Sequence, residues 1–177
     1  MTQITTRLAA LWQASRKIVF LGVGSPLRAD DSVGLYIVEQ LQNTLTIPPD
    51  KEVHFFLGES APENFSGEIR KICPDTLVIV DAANVGTEPG TALLIDREEI
   101  GGVSFSTHML PLKILTDYLV TTTGCQVLVV GIQPKLLEFA YPISDQVKSA
   151  AEQIIKSICD CVKDDGSKSG YATPPKY

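Results

Sequence analysis

The chain has 177 residues, 44% of them hydrophobic, and sets 15 Lys and Arg against 21 Asp and Glu for a net charge of −6. That length suits one domain with a sizeable core. The acidic balance leaves no basic excess to displace counterions from nucleic acid, and no apolar run reaches the roughly 20 residues of a membrane span.

Residues 1–16 carry Arg7 and Arg16, no acid, and Ile4, Leu8, Leu11 and Trp12 at helical spacing. Such a composition also occurs in organellar transit peptides; the reading adopted is an amphipathic helix packed on the domain. A strand is predicted over Lys17–Val23, followed by the turn Gly22-Val23-Gly24-Ser25-Pro26-Leu27-Arg28-Ala29-Asp30-Asp31-Ser32 and a helix from about Ser32 to Leu45. Pro48 and Pro49 close that helix. A second strand, Glu52–Leu57, precedes Ser60-Ala61-Pro62-Glu63, which reads as a capping box opening a helix to about Cys73.

The unbroken apolar run Thr76–Asp81 predicts a strand buried on both faces and ended by its aspartate. Turn residues 84–90 lead without a helix into Thr91–Asp96, which is expected as an antiparallel edge strand, and residues 97–107 are expected as loop. A helix over about Leu110–Val120 and a strand over Gln126–Val130 follow. Ile143, Val147, Ala151, Ile154 and Ile158 then share one face of a last helix. Strand–helix alternation of this kind predicts an α/β three-layer sandwich: a mostly parallel five-stranded sheet with an antiparallel edge strand and helices on both faces. The expected organisation is an amphipathic helix at 1–16, one α/β domain at 17–162 and a mobile tail at 163–177.

Loops that leave parallel strands gather at one edge of such a sheet, where α/β proteins bind ligands. Asp30 and Asp31 follow the first strand, Asp81 ends the third, and Gln133 follows the fifth. Two carboxylates repel phosphate and attract a cation, and Leu27 stands where a dinucleotide fingerprint needs its third glycine. Neighbouring side chains point apart, so one acid is expected to face the cleft while the other anchors the loop or caps the helix. Asp81, at the end of a buried strand, needs hydrogen bonds or a cation, unless an Asx turn into Ala82-Ala83-Asn84 satisfies it. Of the two histidines, His54 is expected to be a partly exposed strand residue and His108, before a helix, the candidate ligand or base. Two carboxylates and an imidazole suit nickel, zinc or manganese better than calcium. Cys73, Cys125, Cys159 and Cys161 lack zinc-site spacing, and buried reduced thiols are expected at 73 and 125.

Five ordered segments together resemble the maturation endopeptidases of nickel–iron hydrogenases, especially the type serving hydrogen-evolving enzymes. They are Leu21–Gly24 with Asp30-Asp31, Ser60–Asn64, Leu77–Ala82, Thr107–Leu112 and Gly131–Pro134. The resemblance covers residues 17–160 and implies a phosphorylase/hydrolase-like fold. It also implies a cytoplasmic enzyme, monomeric by preference, that removes the C-terminal extension of the hydrogenase large-subunit precursor after nickel insertion. Nickel would then be carried by the substrate and met by Asp31, Asp81 and His108, which serve as both metal contacts and catalytic residues. The chain departs from the family at Ser32, where glycine is usual, and at Leu57-Gly58-Glu59, where the family reads Asp-Gly-Gly. Two other functions are weighed beside this one. One is a non-catalytic nickel chaperone or checkpoint protein. The other is a small-molecule hydrolase, disfavoured because no activated nucleophile is visible.

Overall fold

A computed structural model describes residues 2–95, 100, 104–105 and 109–166. Strand β1 (Lys17–Val23) lies between β2 (Glu52–Glu59) and β3 (Thr76–Asn84), both parallel to it. Strand β6 (Gln126–Ile132) runs parallel to β3 on its other side, and β4 (Ala92–Ile95) pairs antiparallel with β6. The order is β2-β1-β3-β6-β4, so the antiparallel edge strand falls where the sequence places it. The two-residue strand β5 (Ser104–Phe105) pairs antiparallel with Ala83 and Asn84 at the far end of β3.

Alternation along the strands divides the core in two. Ile18, Phe20, Val78, Val80, Leu128 and Val130 face α1 (Thr2–Ala14), α2 (Val33–Thr44) and α5 (Asp145–Gly166). Val19, Leu21, Leu77, Ile79 and Val129 face α3 (Ser66–Ile72) and α4 (Met109–Thr123). The result is a three-layer sandwich. The amphipathic face of α1 is part of the core, with Ile4, Leu8, Leu11 and Trp12 all buried.

Three local expectations are corrected. The run ended by Asp81 continues as strand to Asn84, because Ala82 pairs with Ile132 and Ala83 with Phe105; no Asx turn forms there. The capping box at Ser60–Glu63 does not form: the chain enters a 3-10 turn, Pro62–Phe65, with Ala61 at its cap and no side-chain cap bond. Cys73 is exposed at the end of α3, where it caps the helix in the left-handed conformation (φ 52°); Cys125 is buried as expected, and no disulfide joins cysteines among the described residues.

Two glycines set how closely the layers meet. Gly24 has φ +129°, a conformation side chains rarely adopt, and donates its N–H to the Glu59 carbonyl at 3.0 Å. Gly34, in the first turn of α2, lies so near β1 and β3 that a Cβ there would overlap the carbonyl oxygens of Val23 and Val80. Gly67, in α3, has open space around it. In urea titrations, Gly34→Ala is therefore expected to lose roughly 1–3 kcal/mol by forcing backbone apart. Gly67→Ala is expected to hold or gain up to about 1 kcal/mol.

Candidate active site

The chain leaves β1 towards β2 and leaves β3 towards β6, so connections diverge between these adjacent parallel strands. That divergence opens a crevice at their carboxyl ends, the usual ligand position in open α/β sheets. The 3-10 turn Ala29–Ser32 fills one side of it. On the other side, pairing of β1 with β3 stops at Gly22 and Val80, one residue before Asp81. Asp81 shares the face of Ile79 and Ala83, the same face on which Leu112 and Leu115 of α4 pack.

Asp30, Asp31 and Asp81 are all fully buried, and their surroundings differ. Asp30 Oδ2 accepts from the backbone N–H of Lys135 at 2.8 Å, from that of Leu136 at 2.9 Å and from Ser144 Oγ at 3.0 Å. Its Oδ1 accepts from the N–H of Ser144 at 2.6 Å. Asp30 is thus the loop anchor of the acidic pair, and neither acid caps α2, whose cap residue Ser32 also makes no side-chain cap bond. Instead Ser32 Oγ donates to the Ala29 carbonyl at 2.7 Å, which closes the turn.

Asp31 Oδ2 accepts from the N–H of Ser25 at 3.1 Å, which fixes the side chain within its own loop. Asp81 has no hydrogen bond of full geometry to either carboxylate oxygen among the described residues. Burial first, and the Asp31 charge second, push its carboxyl well above the usual carboxylate range, with a small opposing pull from the Ala82 amide. A buried carboxylate left this way is costly unless it is protonated or meets a cation.

The remaining sequence candidates divide cleanly. Gln133 is buried but structural: its Oε1 accepts from Val85 N–H at 2.9 Å and Thr87 N–H at 3.3 Å, and its Nε2 donates to Asn84 Oδ1 at 3.2 Å. His54 is partly exposed on β2 and pairs with Glu52 at 2.8 Å. Leu57 is 38% exposed, and Glu59 is exposed at the end of β2. His108 lies outside the described residues. Among the described residues no three His, Cys, Asp or Glu side chains form a metal-binding group, and no described helix is long and apolar enough to cross a membrane. Asp30's anchoring role was open in the sequence, because its partners lie 105 to 114 residues away.

An α/β sheet whose crevice presents buried acids, with no glycine-rich phosphate cradle, is built for cation-assisted or acid–base chemistry. The sequence profile of the HycI hydrogenase maturation protease family matches residues 35–161. The hydrogenase 3 maturation protease of Escherichia coli K12 is 34% identical over 141 residues, covering 79% of this chain and 87% of its own. The crystal structure of the hydrogenase maturation protease HycI from Thermococcus kodakarensis superposes with a TM-score of 0.78 at 31% identity, over 89% of this chain and 99% of that one. The hydrogenase maturating endopeptidase HybD of E. coli gives 0.68 at 27% identity, over 85% and 94%. The chain belongs to the hydrogenase maturation protease family and is a peptide-bond hydrolase.

The raised Asp81 carboxyl has a thermodynamic signature. The folded protein holds its proton to higher pH than the unfolded chain, so stability falls as pH rises from the ordinary carboxylate range through the raised value. Asp81→Asn removes that slope. Near neutral pH its Tm is expected to exceed wild type by at least about 2–4 °C, the shift that 1 kcal/mol gives for a chain of this size. Thermal melts at several pH values check it; parallel pH curves for both proteins would contradict the assignment.

Proposed function

We propose that this protein removes the C-terminal extension of the nickel–iron hydrogenase large-subunit precursor once nickel has been inserted. The observation that carries the reading is Asp81: a buried carboxylate with no full hydrogen bond among the described residues, beside Asp31, in the switch-point crevice. Such a pair favours an arriving cation, and a substrate that brings its own Ni²⁺ supplies one. Arrival of the ion favours ionised Asp81 and releases its proton. A precursor without nickel offers no charge to offset that burial, so the same acids discriminate loaded from empty substrate.

Asp31, Asp81 and His108 are the residues assigned to face the substrate's nickel. His108 directly precedes α4, which packs on the face of the sheet that Asp81 shares. A nickel ion held among two carboxylates and an imidazole is a Lewis acid that polarises the scissile carbonyl or lowers the pKa of the attacking water. Asp31 or Asp81 then takes the proton that the water gives up.

Incubation of purified protein with nickel-loaded precursor, followed by mass spectrometry of the large subunit, tests the reading. Asp31→Ala, Asp81→Ala and His108→Ala are each expected to lower kcat/KM by about 10³-fold, equivalent to a few kcal/mol of transition-state stabilisation. Nickel-free precursor is expected to stay intact. Undiminished processing by all three variants overturns the site assignment. A tight complex that never yields a shortened subunit supports the checkpoint function instead.

A further inference from the structure

Beside the acidic turn, two segments that are distant in sequence are tied into one rigid lip. The Ala140 N–H donates to the Leu27 carbonyl at 2.9 Å, and Arg28 Nε donates to the Leu137 carbonyl at 3.2 Å. Asp30 N–H donates to the Leu136 carbonyl at 3.1 Å. The four bonds accepted by the Asp30 carboxylate complete the join. Two non-glycine residues in these segments, Ala29 (φ 36°) and Ala140 (φ 63°), sit in the left-handed region. Backbone strain of that kind costs on the order of 1–3 kcal/mol and persists only where surrounding structure over-determines it.

Beside the exposed charges of Lys135 and Glu138, this joined backbone displays three large apolar side chains. Leu27 is 60% exposed, Phe139 64% and Tyr141 56%, and Phe139 and Tyr141 flank the residue bonded to Leu27. Isolated exposed apolar residues need no explanation, whereas converging ones mark binding surfaces. The lip is continuous with the active-site crevice, since the turn that begins after Leu27 ends in Asp31, whose N–H donates to the Arg28 carbonyl at 2.8 Å. An endopeptidase must hold its polypeptide outside the bond it cuts. On a chain of net charge −6, an apolar stretch is accepted more readily than an acidic one.

We propose that Leu27, Phe139 and Tyr141 form the docking lip for an apolar stretch of the hydrogenase precursor flanking the scissile bond. The inference rests on the precursor-processing function above and names how that substrate is held. Asp30 is its positioning residue, because one carboxylate fixes both the lip and the turn that carries Asp31.

The test uses the full chain with nickel-loaded precursor and the triple variant Leu27→Ser/Phe139→Ser/Tyr141→Ser. KM is expected to rise at least about tenfold, the scale of losing interface anchors, with kcat at saturation within about twofold of wild type. The Kd for uncut precursor, measured in an Asp81→Asn background, is expected to rise in parallel. Because all three side chains are exposed, the melting curve is expected to stay put; Phe139→Ser alone, with a smaller rise in KM, serves if the triple variant does not fold. Ile47→Ser, an exposed residue before the amino end of β2 and so at the opposite edge of the sheet, is expected to change nothing. Unchanged KM and Kd in a protein whose wild type cuts the precursor overturns the lip alone. A changed oligomeric state with unchanged KM also overturns it, by assigning the patch to contacts between copies. A wild type that neither binds nor cuts loaded precursor overturns the processing function and the lip with it.

Discussion

The site depends on one close approach of backbone to backbone. The first turn of α2 lies against the carbonyls of Val23 and Val80, at a separation that leaves no room for a Cβ on Gly34. A helix set back by the width of a methyl group would carry its preceding turn, Ala29–Ser32, out of the crevice between β1 and β3. Asp31 would then no longer lie near enough to Asp81 to raise the carboxyl of its neighbour. Packing density is usually discussed as a source of stability. Here it also sets the electrostatics, because the distance between two buried acids follows from the absence of one side chain.

Three buried carboxylates in one small region represent three solutions to the same desolvation problem. Asp30 meets four donors and becomes structural. Asp31 accepts a bond from its own loop, which orients it. Asp81 has no comparable support among the described residues and is pushed towards its neutral form. Adjacent identical residues thus separate by partner, with no difference in residue type. The least satisfied of the three is the one that gains most from an incoming positive charge.

The parts of this arrangement legible in the sequence are those with local causes. The buried strands announce themselves as apolar runs, β4 as an antiparallel edge because no helix separates it from β3, and α1 by the spacing of Ile4, Leu8, Leu11 and Trp12. Asp81 stands out because an acid in a buried run is chemically costly. The parts that were not legible have distant causes. Continuation of β3 past Asp81 depends on pairing with the end of β6 and then with β5, a two-residue strand without a propensity signal of its own. Pro62 steers its segment into a 3-10 turn in spite of a favourable capping pattern. The division of labour between Asp30 and Asp31 is set by amides at Lys135, Leu136 and Ser144, which no window around residue 30 contains.

That long reach bears on how the protein comes into being. The donors that satisfy Asp30 are made 105 to 114 residues after it. At about 5–20 residues per second of synthesis, the turn waits roughly 5–20 s for its partners. Until residues 135–144 have cleared the ribosome, a closed turn would bury Asp30 without its full set of donors, so the nascent chain is biased to leave the acidic crevice open and hydrated. The acidic crevice is therefore among the last parts of the molecule to be finished, and a prematurely terminated chain would carry the sheet without the closed turn.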